Sequence, residues 1–208
     1  MKITEVKDLN IEGIKIIKLQ RFSDERGYFT EIFKESDFLN NEQLGFFEKE
    51  TKFPQCNESF SKKGTIRGLH LQWNPFQGKL IRVIHGKMID FALDVRKKSP
   101  TLGKIIGHEM NSDSEKDSGE WLWIPPGFAH GFLALQDTTI EYFCTGEYSP
   151  GCEMGISPFS KDIDWSICDS DIKKTFDSIS QGESIISDKD LNGISMNEWL
   201  SNTNSEQF

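Results

Sequence analysis

The chain reads as an all-β protein, an antiparallel sandwich or barrel, and three observations predict it. Short runs rich in β-branched and aromatic residues recur along most of its 208 residues, with Gly, Asp and Pro turn signals between them. No run carries the sustained 3.6-residue period of a long helix, and no repeat of propeller or solenoid length is present. Finally, 16 Phe and 5 Trp give a modest hydrophobic fraction of 36% the side-chain volume for a real core. A single domain of this size hides roughly 70% of its unfolded surface.

Taken in order, Ile14–Leu19 is a short, partly alternating strand. Asp24-Glu25-Arg26-Gly27 is a turn, and Tyr28–Phe33 after it alternates as a half-buried strand should. Ser36–Asn40 begins one short helix. Lys79–His85 and Lys87–Val95, parted by Gly86, have the spacing of a hairpin with a tight glycine turn. Lys104–Met110 and Glu120–Ile124 are strands joined by a polar connection, Asn111–Gly119. Phe132–Leu135 and Thr139–Thr145 complete the set. Beyond about residue 165 the texture changes: Asp169–Ser184 is polar and aperiodic, and Asn202–Phe208 reads as a frayed tail. These marks divide the chain into a main domain, 1–168, and an appendage with tail, 169–208.

Composition narrows the function. A net charge of -9 disfavours a nucleic-acid binder, which needs a basic face to release counterions. The four cysteines (Cys56, Cys144, Cys152, Cys168) form no CxxC pair and read as reduced thiols of a cytoplasmic protein. The first residues lack the apolar segment of a secretory signal, and nowhere do 18 apolar residues run together, so no membrane is expected as a partner.

Two stretches carry the chemistry. Gly64-Thr65-Ile66-Arg67-Gly68-Leu69-His70 and Pro126-Gly127-Phe128-Ala129-His130-Gly131-Phe132 each set one histidine just after a glycine. Metal-binding barrels of the cupin type present His-x-His and a nearby Glu on the first of these elements. Here Gln72 stands where the second histidine would be and no carboxylate follows, so no metal or other cofactor is expected. Proton transfer is the better use for the pair. Gln55, Asn57, Arg67, His70 and Gln72 are polar groups on apolar strands and must be paired with each other or with a ligand. Arg67 and His70 lie three apart, so a bend at Gly68 is required to turn both inward. His85 and His108 lack such company and read as structural residues.

The ordered motifs Asp24–Phe29, Gln55–Asn57, Arg67–His70, Gln77–Lys79, Asp94–Arg96, Ser99–Thr101, Pro126–Phe132 and Tyr142–Pro150 make the chain resemble the dTDP-4-dehydrorhamnose 3,5-epimerase family. The resemblance spans roughly residues 10 to 165. It implies a cupin-type antiparallel jelly-roll barrel with a short, partly helical C-terminal appendage, forming a homodimer that needs no metal. It implies a nucleotide-sugar substrate, dTDP-4-dehydro-6-deoxy-D-glucose, and a place in L-rhamnose synthesis. His70 is similar to the family's base, Tyr142 to its acid, Lys79 to the cation that steadies the enolate, and Asp190 to the carboxylate that orients the base. The segment from Trp165 to Asp190 is long for the family, and Ser157–Asp162 and Trp165-Ser166 depart from its pattern, which leaves Asp188 as the alternative to Asp190. Arg26, Glu31, Gln55, Asn57, Arg67, His130 and Tyr148 match positions around the nucleotide-sugar, the two arginines suiting the diphosphate. Tyr148 is either a platform for the thymine ring or a strand-end aromatic. A mono-epimerase acting at C3 or C5 alone, and a non-catalytic sugar-nucleotide binder, are the rival readings.

Overall fold

The computed structural model describes all of the chain apart from residues 114–117, residue 183 and the side chain of Leu39. Thirteen strands are present among the described residues: β1 Ile3–Asp8, β2 Lys15–Gln20, β3 Phe22–Asp24, β4 Gly27–Phe29, β5 Gln55–Ser61, β6 Ile66–Gln72, β7 Lys79–His85, β8 Lys87–Asp94, β9 Ile105–Asn111, β10 Ser118–Ile124, β11 Phe128–Ala134, β12 Thr138–Cys144 and β13 Glu153–Gly155. Helices are α1 Glu35–Asn40, α2 Ser170–Ser180, α3 Asp188–Leu191 and α4 Met196–Ser201. The polar connection expected at Asn111–Gly119 falls in part on residues 114–117, outside the described residues.

Two antiparallel sheets face each other. One has the order β1-β2-β10-β7-β12-β5, the other β13-β6-β11-β8-β9. This is the jelly-roll architecture the sequence predicts, and it explains why its strands are apolar on both faces. Between the sheets, Ile16, Ile81, Leu122 and Ile140 of one meet Met88, Ala92, Ile106, Phe128 and Phe132 of the other. Ile17, Leu80, Trp121 and Trp123 point out of the six-stranded sheet and are roofed by Phe38, Leu44 and Phe47. Leu69, Leu71, Ile89, Phe91 and Leu133 point out of the five-stranded sheet beneath Phe176, Met196 and Trp199. A strand covered on both faces has no polar face to alternate with.

Four expectations are corrected. Lys79–His85 and Lys87–Val95 do not form a hairpin: β7 pairs with β10 and β12, whereas β8 pairs with β9 and β11. The chain turns a barrel corner at Gly86, whose φ is +86° and where a Cβ would lie 2.2 Å from the carbonyl oxygen of Asp137. A tight corner and a hairpin turn put the same demand on the local sequence, so only the long-range pairing separates them. The strand expected at Tyr28–Phe33 is three residues long and exposed; Gly27–Phe29 pairs with Phe22–Asp24 as a separate ribbon. Asp169–Ser184 is not aperiodic. Asp169 caps α2 by accepting from the backbone N–H groups of Asp171 and Ile172, and Ile172, Phe176 and Ile179 recur at helical spacing toward the sheet. Three apolar residues among Lys, Asp and Ser made that stripe easy to miss. The tail is not frayed either: Thr203–Gln207 forms a 3-10 turn with Ser205 fully buried, and the Phe208 ring packs 5.1 Å from that of Phe76.

Candidate active site

The inner face of the barrel is polar at one end. On β6, Ile66, Leu69 and Leu71 face outward, while Arg67 and His70 face a cavity of about 180 Å³ between the sheets. A bulge makes this possible. His130 and Phe132 of β11 stand opposite His70 and Arg67, two residues apart against three. The extra residue is Gly68, with φ +102° and with the backbone of His130 so close that a Cβ would meet its carbonyl oxygen at 2.5 Å. The bend required at Gly68 is there.

The bulge also frees an N–H. Asp190 takes it: its Oδ2 accepts from Gly68 N at 3.3 Å, and its Oδ1 lies 2.6 Å from His70 Nε2. Asp190 comes from α3, whose cap Ser187 accepts from the Asp190 N–H. The segment carrying it is pinned at both ends to the five-stranded sheet, Ile185 bridging Thr65 and Ile194 bridging Ile156. Asp188, the alternative, is exposed. Burial works to raise the Asp190 carboxyl, but the hydrogen bond and charge of His70 and the Gly68 N–H outweigh it and hold it below the usual carboxylate range.

His130 is cross-strand neighbour to His70 and nearly buried. Its Nε2 lies 2.9 Å from Asp90 Oδ2. Desolvation lowers the His130 pKa, with Asp90 opposing and Lys79 and His70 adding to the fall. Sequence reading missed Asp90, although the signal was present: it is an acid at inward parity, between Met88 and Ala92, in the apolar run Met88–Val95.

The opposite wall belongs to the six-stranded sheet. Tyr142 on β12 and Lys79 on β7 line the same cavity, with Ser59 and Ile140, while Phe132 lines it from β11. Lys79 Nζ, buried, donates to the His70 carbonyl at 3.4 Å, and desolvation pulls its pKa down against the opposing charges of Asp90 and Glu153. Burial raises the phenol of Tyr142, as does Cys144, while Asn57 and Arg67 work the other way.

The remaining predicted residues fall into three places. Arg67 lines the mouth, its Nε donating to Ser61 Oγ at 2.9 Å. Gln55 and Asn57 lie on edge strand β5 beside Tyr142, and Tyr148 is exposed with its hydroxyl 3.0 Å from Glu153. Arg26 and Glu31 stand outside the cavity lining: Arg26 is 84% exposed and paired with Asp24, and Glu31 receives the terminal amine. Gln72 is not among the residues that line the cavity. Its amide donates to the carbonyls of Pro75 and Glu147 and accepts from Ser149 N, clamping the loop after β12.

Among the described residues no cluster of three or more His, Cys, Asp or Glu is placed to hold a metal ion, and none of the described helices is long and apolar enough to cross a membrane. A larger cavity of about 460 Å³ lies elsewhere, beside β2 and β10, and contains His108 but none of the residues just described.

A jelly-roll barrel with an imidazole–carboxylate pair on one wall and a phenol and an ammonium on the other is an acid–base enzyme of the cupin type. The sequence model of dTDP-4-dehydrorhamnose 3,5-epimerase matches residues 8–198. The dTDP-4-dehydrorhamnose 3,5-epimerase of Methanothermobacter thermautotrophicus is 43% identical over 161 residues, covering 76% of this chain and 82% of that one. The crystal structure of the Sulfolobus tokodaii enzyme of that name superposes with a TM-score of 0.74 at 43% identity, covering 95% and 97% of the two chains. A Legionella pneumophila 3,5-epimerase, solved in complex with dTDP-4-keto-L-rhamnose, gives 0.76 at 34% identity and 93% of each chain. The chain belongs to the dTDP-4-dehydrorhamnose 3,5-epimerase family.

Proposed function

We propose that this isomerase inverts C3 and C5 of dTDP-4-dehydro-6-deoxy-D-glucose, with His70 as base and Tyr142 as acid. The observation that carries the reading is their placement on opposite sheets across one cavity. Inversion at carbon needs a proton removed from one face and another delivered to the opposite face.

The C4 ketone acidifies the C–H bonds on either side of it, so a base of moderate strength suffices, and imidazole is such a base. Ionised Asp190 accepts from His70 Nε2, which fixes the tautomer and leaves the lone pair on Nδ1. It also stabilises the imidazolium formed when the proton arrives, the role an aspartate plays behind a catalytic histidine elsewhere. The electrons of the broken C–H bond move onto O4, and the Lys79 ammonium is the charge that stabilises that enolate. Because C3 and C5 flank a single ketone, one cation serves both. Tyr142 then gives its hydroxyl proton to the carbon from the far side.

Around the nucleotide we propose Arg67 and His130 as contacts from the cavity, with Gln55, Asn57 and Tyr148 beside it. Residues 169–208 are an appendage of the barrel, residues 1–168, and supply Asp190 to it. Arg26 and Glu31 lie outside the cavity of their own chain, and a homodimer that turns them toward a partner's cavity reconciles them with the roles the resemblance implies. Mixing an Arg26→Ala chain with a His70→Asn chain tests this: activity regained in the mixture supports a shared site, and no recovery counts against it. Cytoplasmic location accords with four free thiols.

The decisive experiment incubates dTDP-4-dehydro-6-deoxy-D-glucose with the protein in deuterated water and follows it by NMR. Deuterium with inversion at both C3 and C5, abolished by His70→Asn, is the expected result. Label at one carbon alone makes the protein a mono-epimerase. Binding without label at either carbon leaves only a sugar-nucleotide binder.

A further inference from the structure

Gln72 stands where a metal-binding barrel carries its second histidine, and the proposed reaction makes no use of it. It is buried, 4% exposed, and both ends of its amide are engaged. Nε2 donates to the Pro75 carbonyl at 2.9 Å and to the Glu147 carbonyl at 3.0 Å, while Oε1 accepts from Ser149 N at 2.9 Å. These three bonds tie β6 to two loops at once, the one that follows it and residues 145–149 after β12. They also fix the sense of the amide, since a flip would set its oxygen against two carbonyl oxygens. An imidazole, with two nitrogens, could satisfy at most two of the three groups. Gln77 adds a further tie, its Nε2 donating to the Gly146 carbonyl at 2.9 Å. The start of the loop is held by Gly78, whose N–H donates to Thr145 Oγ1 at 2.8 Å and whose carbonyl accepts from Thr145 N at 3.0 Å.

The loop so held carries Tyr148. Its backbone N–H donates to Gln55 Oε1 at 2.7 Å and its hydroxyl to Glu153 Oε1 at 3.0 Å. The ring is therefore fixed at both ends although Tyr148 is 53% exposed. An aromatic ring ordered in this way, with much of its surface open, is a stacking surface whose ordering cost is met on folding rather than on binding. We propose that Gln72, assisted by Gln77, is a positioning residue for nucleotide recognition, holding residues 145–149 so that the Tyr148 ring is a preformed platform for the base. This rests on the reading of Tyr148 as a nucleotide contact. Two residues of one strand then serve the two halves of the substrate. His70 acts on the sugar, and Gln72 acts on the nucleotide through the loop.

Binding of dTDP, which has the nucleotide without the sugar, tests this by calorimetry on the full chain. Gln72→Met, close in volume, is expected to weaken dTDP binding about tenfold and to raise KM for the nucleotide-sugar by a similar factor, with kcat within about twofold. Tyr148→Ala should also weaken dTDP binding about tenfold. The double variant should bind about as weakly as Tyr148→Ala alone, because Gln72 acts through that ring. Losses that multiply in the double variant would overturn the proposal. So would a fall in kcat and deuterium exchange with dTDP binding intact, which would place the effect of Gln72 on His70. Gln77→Met, at a partly exposed position, carries the test if Gln72→Met does not fold. It should weaken dTDP binding about threefold, and unchanged binding there overturns the proposal. If Tyr148→Ala leaves dTDP binding intact, the reading of Tyr148 fails, and the proposal with it.

Discussion

On the five-stranded side of the cavity each imidazole has a carboxylate behind it: Asp190 at 2.6 Å from His70 and Asp90 at 2.9 Å from His130. On the six-stranded side the partners are neutral. Lys79 donates to a backbone carbonyl, and Tyr142 stands opposite Asn57 in the β5–β12 ladder, on the strand that carries the buried thiol of Cys144. The two walls thus differ in what faces their polar groups. Asp190 meets the His70 ring nitrogen, and Asp90 opposes the desolvation that lowers the His130 pKa. Burial disfavours charge, so the phenol keeps its proton and the ammonium holds its own less firmly. Burial also lifts the Cys144 thiol to about 11, keeping it neutral beside Lys79.

The comparison breaks first at its base. His70→Asn should cost about 10³–10⁴ in turnover and abolish exchange and inversion alike, because it removes the proposed base; exchange measured by NMR decides. Tyr142→Phe should cost about 10²–10³ in inversion while exchange survives, since abstraction belongs to the other wall. Equal loss of both would mean the walls do not divide the work. Asp190→Asn should lower kcat by about 10² with KM little changed, the His70 tautomer no longer being enforced.

The pH dependence sharpens the contrast. In the mechanism proposed above Lys79 is charged when it stabilises the enolate, and desolvation lowers its pKa from the ordinary lysine value. Its charge is therefore present at low pH and lost as pH rises through that lowered pKa, so kcat should fall on the basic side before a solvent-exposed lysine would titrate. Lys79→Met should be slow and lack this limb. The smallest effect is expected at the rim, where Lys189 donates to Glu153 at 2.8 Å. Both are partly exposed, and Lys189→Met should change kcat/KM by no more than about twofold in steady-state assays.

How much of this was legible beforehand depended on range. Most of the strands of the two main sheets could be read locally, because Val, Ile and aromatic runs bounded by turn residues admit few other conformations. His70 and Arg67 stood out as polar residues on an apolar strand, Lys79 and Tyr142 were named through the family resemblance, and the need for a bend at Gly68 followed from side-chain parity alone. Asp190 could be named only with Asp188 beside it, since a sequence count across a segment of unfamiliar length does not say which carboxylate arrives. Asp90 was passed over although it stands at inward parity in an apolar run, because the partner that gives it meaning, His130, lies forty residues on.

What the sequence by itself determined was the β class of the chain and the chemical character of its inward-facing groups, for both follow from residue type and a two-residue period. The tertiary structure alone decided that β7 and β8 lie in different sheets, that the C-terminal helix covers the five-stranded sheet, and that Asp190 reaches His70. Each of these rests on contacts between distant segments. Their free energy comes from burying a second face of strands that look the same locally whether they turn a corner or form a hairpin.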